Sequence, residues 1–136
     1  MKILAIDYGE QRLGLAVSDD NHTMAMSKGL LEGLSQTKII QKIKAIVNLE
    51  KVGLLVVGLP IGMDNQPTAW TEEVKRFAEK LRSHLTIPVQ MVDERLTTQM
   101  AKTLLAGTGQ TKQKKDQVAA QIFLQDYLDQ QRNAKT

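Results

Sequence analysis

Three features of the sequence predict an α/β fold built on one mixed five-stranded sheet with helices on both faces. Short apolar runs give way, after the first quarter of the chain, to an alternation of short apolar runs with longer segments of helical period. The first two runs are joined only by "DYGEQ", too short for a crossover, so the sheet starts as an antiparallel hairpin. The later runs are separated by helix-length segments, which makes their strands parallel neighbours. With 136 residues, a single domain spanning 1–136 with one substantial core is expected.

The elements follow in order. "KILAI" reads as a strand buried on both faces. "RLGLAVS" alternates large Leu13, Leu15 and Val17 with small Gly14, Ala16 and Ser18, a period of two. A weaker third strand lies in "TMAMSKGLL", with a bend at Lys28 and Gly29. Ser35 then caps a helix whose Ile39, Ile40, Ile43, Ile46 and Val47 share one face and which ends near Gly53. "LLVVG" is a central strand, closed by the turn-rich loop "LPIGMDNQP". A second helix carries Trp70, Val74, Phe77, Ala78 and Leu81 on an apolar stripe, which directs Trp70 to the core. Pro88 introduces the strand "VQMV", which runs into Asp93 and Glu94. A third helix holds Leu96, Met100, Ala101, Leu104 and Leu105; a loop from Gly107 to Lys115 leads to a last helix from about Asp116 to Gln131.

Acids stand at the ends of these elements. Asp7 ends the first strand, Glu94 follows the last strand, and Asp116 begins the last helix. The crevice outside the carboxyl ends of parallel strands is where open α/β sheets bind ligands, so the three can converge. Three carboxylates without His or Cys form a hard oxygen site suited to Mg²⁺ or Mn²⁺. Like charges at close range need a cation, and two metals roughly 3.5 to 4 Å apart can hydrolyse a phosphodiester. Each acid has a local alternative: Asp7 as a turn residue before Gly9, Asp93 with Glu94 as the start of a helix, and Asp116 as a helix cap.

Charge and composition narrow the classes. The net charge of +3 is modest, but Arg95, Lys102, Lys112, Lys114 and Lys115 lie between Glu94 and Asp116 with no acid among them. Such a block contacts phosphates or forms a solvated loop. The absence of cysteine excludes disulfides and thiolate metal sites, and no run approaches the roughly 18 apolar residues of a membrane span. A cytoplasmic protein without a membrane partner is therefore expected. His22 and His84 lie apart in polar surroundings and read as surface residues; aromatics make up only 4% of the chain, so no extended base-stacking surface is evident.

Four blocks, "DYGEQRLGLAVSD" at 7–19, "VVGLP" with "MD" at 56–64, "VDERLTTQMA" at 92–101 and "KKDQVAAQIFLQDYL" at 114–128, resemble the YqgF family, the Holliday-junction-resolvase-like nucleases of the ribonuclease H-like fold. The resemblance covers nearly the whole chain. It implies that Asp7, Glu94 and Asp116 form a catalytic set holding two Mg²⁺ or Mn²⁺, and that Gly9 keeps the first turn open for a phosphate. It also makes Arg12 a phosphate contact, against the alternative of an exposed turn arginine, and Arg95 a similar candidate. Thr97 and Thr98 read as structural. The family's usual Asn before "MD" and Gly after it are here Gly62 and Asn65, and Asp64 reads as a turn residue or a peripheral ligand.

The function implied is a metal-dependent endonuclease processing the 5′ end of pre-16S ribosomal RNA. The alternatives are a Holliday junction resolvase acting on branched DNA and a non-cleaving nucleic-acid-binding module. An actin-like phosphotransfer ATPase is a further class, since such folds also open with Asp-x-Gly after a first strand. Structured RNA or branched DNA is the expected partner, with the ribosome as a candidate; a monomer is expected, a dimer being the resolvase alternative.

Overall fold

The computed structural model describes residues 1–60, 68–94, 109 and 111–134, apart from the side chains at 112, 113, 115 and 116. Five strands form one sheet: β1 (Lys2–Tyr8), β2 (Arg12–Ser18), β3 (Ala25–Glu32), β4 (Val52–Leu59) and β5 (Val89–Asp93). The order is β3-β2-β1-β4-β5. The β1–β2 and β2–β3 pairs are antiparallel, and β1–β4 and β4–β5 are parallel, as the short and long connections require. The described helices are α1 (Gln36–Glu50), α2 (Ala69–His84) and α3 (Lys112–Ala134). None of them is long and apolar enough to cross a membrane.

Alternation along β1 explains both layers. Leu4 and Ile6 point to one face, where they pack with Ile40, Ile43 and Val47 of α1 and Val74, Phe77 and Leu81 of α2. Ile3 and Ala5 point to the other, where α3 lays Ala120, Phe123, Leu124 and Leu128 over the sheet. Leu4, Ala5 and Ile6 are fully buried, and so are Leu55, Val56 and Val57 of β4. A centre covered on both sides selects continuous apolar runs in β1 and β4.

Three boundaries differ from the sequence expectation. Helix α1 is capped as expected, Ser35 Oγ accepting from the Lys38 amide at 3.3 Å, but it ends at Glu50 rather than near Gly53. Lys51 takes the left-handed conformation (φ 56°) that closes the helix, and Gly53 already lies inside β4. The expected bend at Lys28 and Gly29 is a bulge: Leu15 pairs with Gly29 and Ala16 with Ser27, leaving Lys28 as the extra residue and β3 continuous. The last helix starts at Lys112, ahead of the expected Asp116. Thr111 Oγ1 accepts from the Lys114 amide at 3.2 Å, and no Gly or Pro follows to break the turn. The expected third helix from Leu96 to Leu105 lies outside the described residues.

Candidate active site

Asp7 is the last but one residue of β1, on the α3 side of the sheet with Ile3 and Ala5. It is buried, at 9% exposure, in the strand at the centre of the sheet. Its neighbours on both sides lack side chains. Gly14 of β2 pairs with it directly, and Gly58 of β4 comes one residue after the Ile6–Val57 pair. Two glycines beside one acid leave a shallow gap in the surface at the carboxyl end of the sheet.

Glu94 fills part of that gap from the other side. Its amide donates to Leu59 O at 3.1 Å, which carries the β4–β5 ladder one residue past Asp93. A Cβ built on Gly58 would lie 3.0 Å from Glu94 Oε1, 3.2 Å from its Cγ and 3.4 Å from Phe123 Cε2. The Glu94 side chain therefore lies against the bare backbone of β4, on the strand that separates it from Asp7. Asp7 and Glu94 line one recess of about 130 Å³ with Tyr8, Gly9, Arg12, Pro60 and Trp70.

The turn that follows Asp7 is tight. Gly9 N donates to Arg12 O at 2.8 Å, and a Cβ on Gly9 would stand 2.7 Å from that oxygen, so any side chain there would open the turn. Arg12 begins β2 and its side chain is only 12% exposed, with Nε donating to Glu32 Oε2 at 3.1 Å. The alternative of an exposed turn arginine is thereby corrected: pairing across β2 and β3 draws the guanidinium onto the sheet beside the recess.

The far wall is the start of α2. Thr68 and Thr71 form a reciprocal capping box, and Thr71 Oγ1 donates to Pro60 O at 2.6 Å, tying the first turn to the end of β4. Trp70 is held there, half-buried, its ring 5.4 Å from that of Tyr8 in an edge-to-face arrangement. It packs on the core, as its place on the stripe predicts, and it also borders the recess, which the stripe does not reveal.

The remaining candidates are distributed as follows. Lys114 is exposed in the first turn of α3, and positions 112, 115 and 116 belong to the same helix. The basic positions 112 to 115 are thus helical rather than part of the expected loop, and Asp116 is inside the helix rather than its cap, that role being taken by Thr111. Arg95, Asp64, Gly62, Asn65, Thr97 and Thr98 lie outside the described residues. Among the described residues no group of three His, Cys, Asp or Glu side chains gathers into a metal cluster. Two carboxylates in one recess are donors of the kind that would suit a hard divalent cation. Gly14, Gly58 and Thr71 carry no sequence signal of their own, because each acts through a partner distant in the chain.

Residues 1–130 match the family described as "RuvX: Holliday junction resolvase". The protein named "Putative pre-16S rRNA nuclease" from Maridesulfovibrio salexigens is 37% identical over 132 residues, covering 94% of this chain and 98% of its own. A protein of the same name from Chloroflexus aurantiacus is 41% identical, covering 96% of this chain and 88% of its own. Among solved structures, T. thermophilus RuvC in complex with Holliday junction substrate superposes with a TM-score of 0.60 at 12% identity, over 98% of this chain and 96% of that one. The sheet order and the helices on its two faces are those of the ribonuclease H-like fold.

Proposed function

This chain belongs to the RuvX (YqgF) family, and from that premise we propose that it is a divalent-metal-dependent endonuclease that hydrolyses phosphodiester bonds in the 5′ processing of pre-16S ribosomal RNA. The observation that carries the reading is the meeting of Asp7 and Glu94 in one recess at the carboxyl end of the sheet, across the bare backbone of Gly58. Asp7, Glu94 and Asp116 are the residues that would hold Mg²⁺ or Mn²⁺, two ions being expected, and a bound divalent ion would supply charge neutralisation and a water of lowered pKa.

The chain's own residues do the rest. Asp7 is fixed by its strand and by burial, so its carboxylate is presented without a search through rotamers. Glu94 reaches the recess across the bare backbone of Gly58, which leaves room for its carboxylate. Arg12, which lines the recess, is the proposed phosphate contact, and Lys112, Lys114, Lys115 and Arg95 are the further candidates for backbone phosphate. Position 116, in the first turns of α3, is proposed as the source of the third acid.

The recess is small for enclosing a free nucleotide, since ligand pockets are typically about 300–1,000 Å³. That favours a polymer phosphate laid across an open edge over the phosphotransfer alternative. Branched DNA is the second reading, favoured by the family description and by the likeness to a resolvase fold. The basic surface acts on backbone phosphate in either case and reads no base edge. The proposed compartment is the cytoplasm, and the proposed partner of the monomer is the ribosomal RNA precursor.

Cleavage of end-labelled pre-16S RNA and of a four-way DNA junction, in Mg²⁺, Mn²⁺ or EDTA, tests the proposal. Metal-dependent cutting of the RNA is expected. Cutting of the junction alone selects the resolvase, and binding of either without cutting selects the non-cleaving module.

A further inference from the structure

We propose that Trp70 is a base-stacking platform that receives an unpaired nucleobase next to the phosphodiester addressed by Asp7 and Glu94, so that the substrate is cut where its strand is single or splayed. The inference rests on the nuclease reading and adds to it the state of the strand at the cut.

Placement comes first. The two acids, Arg12 and the indole line the same small recess. A nucleotide whose phosphate lies at the acids has its base within a few ångströms, and the wall available to it there is aromatic. Within a base-paired helix that base is already stacked on its neighbours, whereas an unpaired base exposes a π-face to a side chain.

The rigidity of the indole is the second argument. Trp70 is held by the first turn of α2, which the Thr68–Thr71 capping box and the Thr71 bond to Pro60 O fix to the end of β4. Its ring meets Tyr8 edge to face, and Tyr8 in turn lies 4.2 Å from Phe77, which is buried. An aromatic braced in this way loses little conformational freedom when a base stacks on it. A tryptophan serving the core alone would be covered as Phe77 is. Trp70 instead keeps part of its surface at the recess.

The chain contains one tryptophan, so its emission reports on this position alone. The experiment uses the Asp7→Asn protein in Mg²⁺ to prevent turnover, titrated with single-stranded RNA, with an abasic ribose-phosphate strand of equal length, and with duplex RNA. Single-stranded RNA is expected to quench the emission, and the abasic strand to bind without quenching. Trp70→Ala should weaken binding of single-stranded RNA by about 5- to 150-fold, the span of one stacked base. The same change should leave affinity for the abasic strand and the salt slope as they were, because stacking displaces no counterions. Trp70→Phe should recover most of the loss. Emission unmoved by bound RNA would overturn the proposal, as would affinity for RNA unchanged in Trp70→Ala or lost equally for the abasic strand. Failure of the Asp7→Asn protein to bind any of the three would instead remove the nuclease reading, and the stacking role with it.

Discussion

Replacing Gly58 with alanine should damage the chemistry while leaving the fold nearly intact. The added methyl would stand 3.0 Å from Glu94 Oε1 and 3.2 Å from Glu94 Cγ, both closer than ordinary contact, and 3.4 Å from Phe123 Cε2, which is ordinary contact. The core side of the substitution is therefore tolerated, and the strain falls on Glu94, which is partly exposed and swings aside by a few tenths of an ångström or more. On the folding side, less freedom in the unfolded chain stabilises by about 0.4–1 kcal/mol and the crowding offsets a similar amount. The net change stays within about 1 kcal/mol, a Tm shift below about 5 °C. On the catalytic side, a 1 Å displacement of a positioned group costs on the order of 100-fold, so a shift of about half that costs roughly tenfold in kcat. The Mg²⁺ concentration giving half-maximal rate should rise as well. The assay is kcat against Mg²⁺ concentration, with melting measured on the same preparations. Wild-type kcat and metal dependence in Gly58→Ala, or loss of rate in proportion to loss of Tm, would refute the reasoning.

Thr71→Val keeps the shape but removes the hydroxyl that donates to Pro60 O and accepts from the Thr68 amide, both in a partly buried setting; a loss of about 1–3 kcal/mol in chemical denaturation is expected. Arg12→Ala should weaken RNA binding uniformly across sequences and flatten the plot of log K against log salt by about one phosphate contact, whereas an unchanged slope removes Arg12 from the interface. Hydrogen bonds from the Thr23 hydroxyl, and then from its amide, lower the Asp19 carboxyl to about 2. Because the folded value is depressed, its contribution to stability is present above the unfolded value of roughly 3.9 and is lost as pH falls through about 2. Melting followed through that window should flatten in Asp19→Asn, and an identical pH dependence in the variant would refute the assignment.

Much of this molecule is legible in its sequence because the signals are local. Alternation along "KILAI" and "RLGLAVS" identifies the hairpin, and isoleucines at helical spacing identify α1. Asp7 stands out because a charge interrupts a strand buried on both faces, a position that only a turn or a site explains. What was not legible depends on contacts between distant residues. Gly58 reads as the end of a strand until β5 places Glu94 over it. Trp70 reads as core because the apolar stripe of α2 ignores that its first turn overhangs the end of the sheet. The start of α3 was missed because its opening residues are polar and carry no periodicity, and the cap at Thr111 is a single hydroxyl. Lys51 closes α1 in a conformation usually given to glycine, and Gly53, two residues on, drew the boundary toward itself.

The central claim is that Asp7 and Glu94 act as one unit on a phosphodiester. It is tested most directly by Mg²⁺-dependent cleavage of pre-16S RNA by the wild type, Asp7→Asn, Glu94→Gln and the double variant, all checked for folding by melting. Groups that act together are non-additive, so each single variant should lose cleavage and the double should be no worse than either. Cleavage within tenfold of wild type in either single variant, or losses that multiply in the double, would contradict the account.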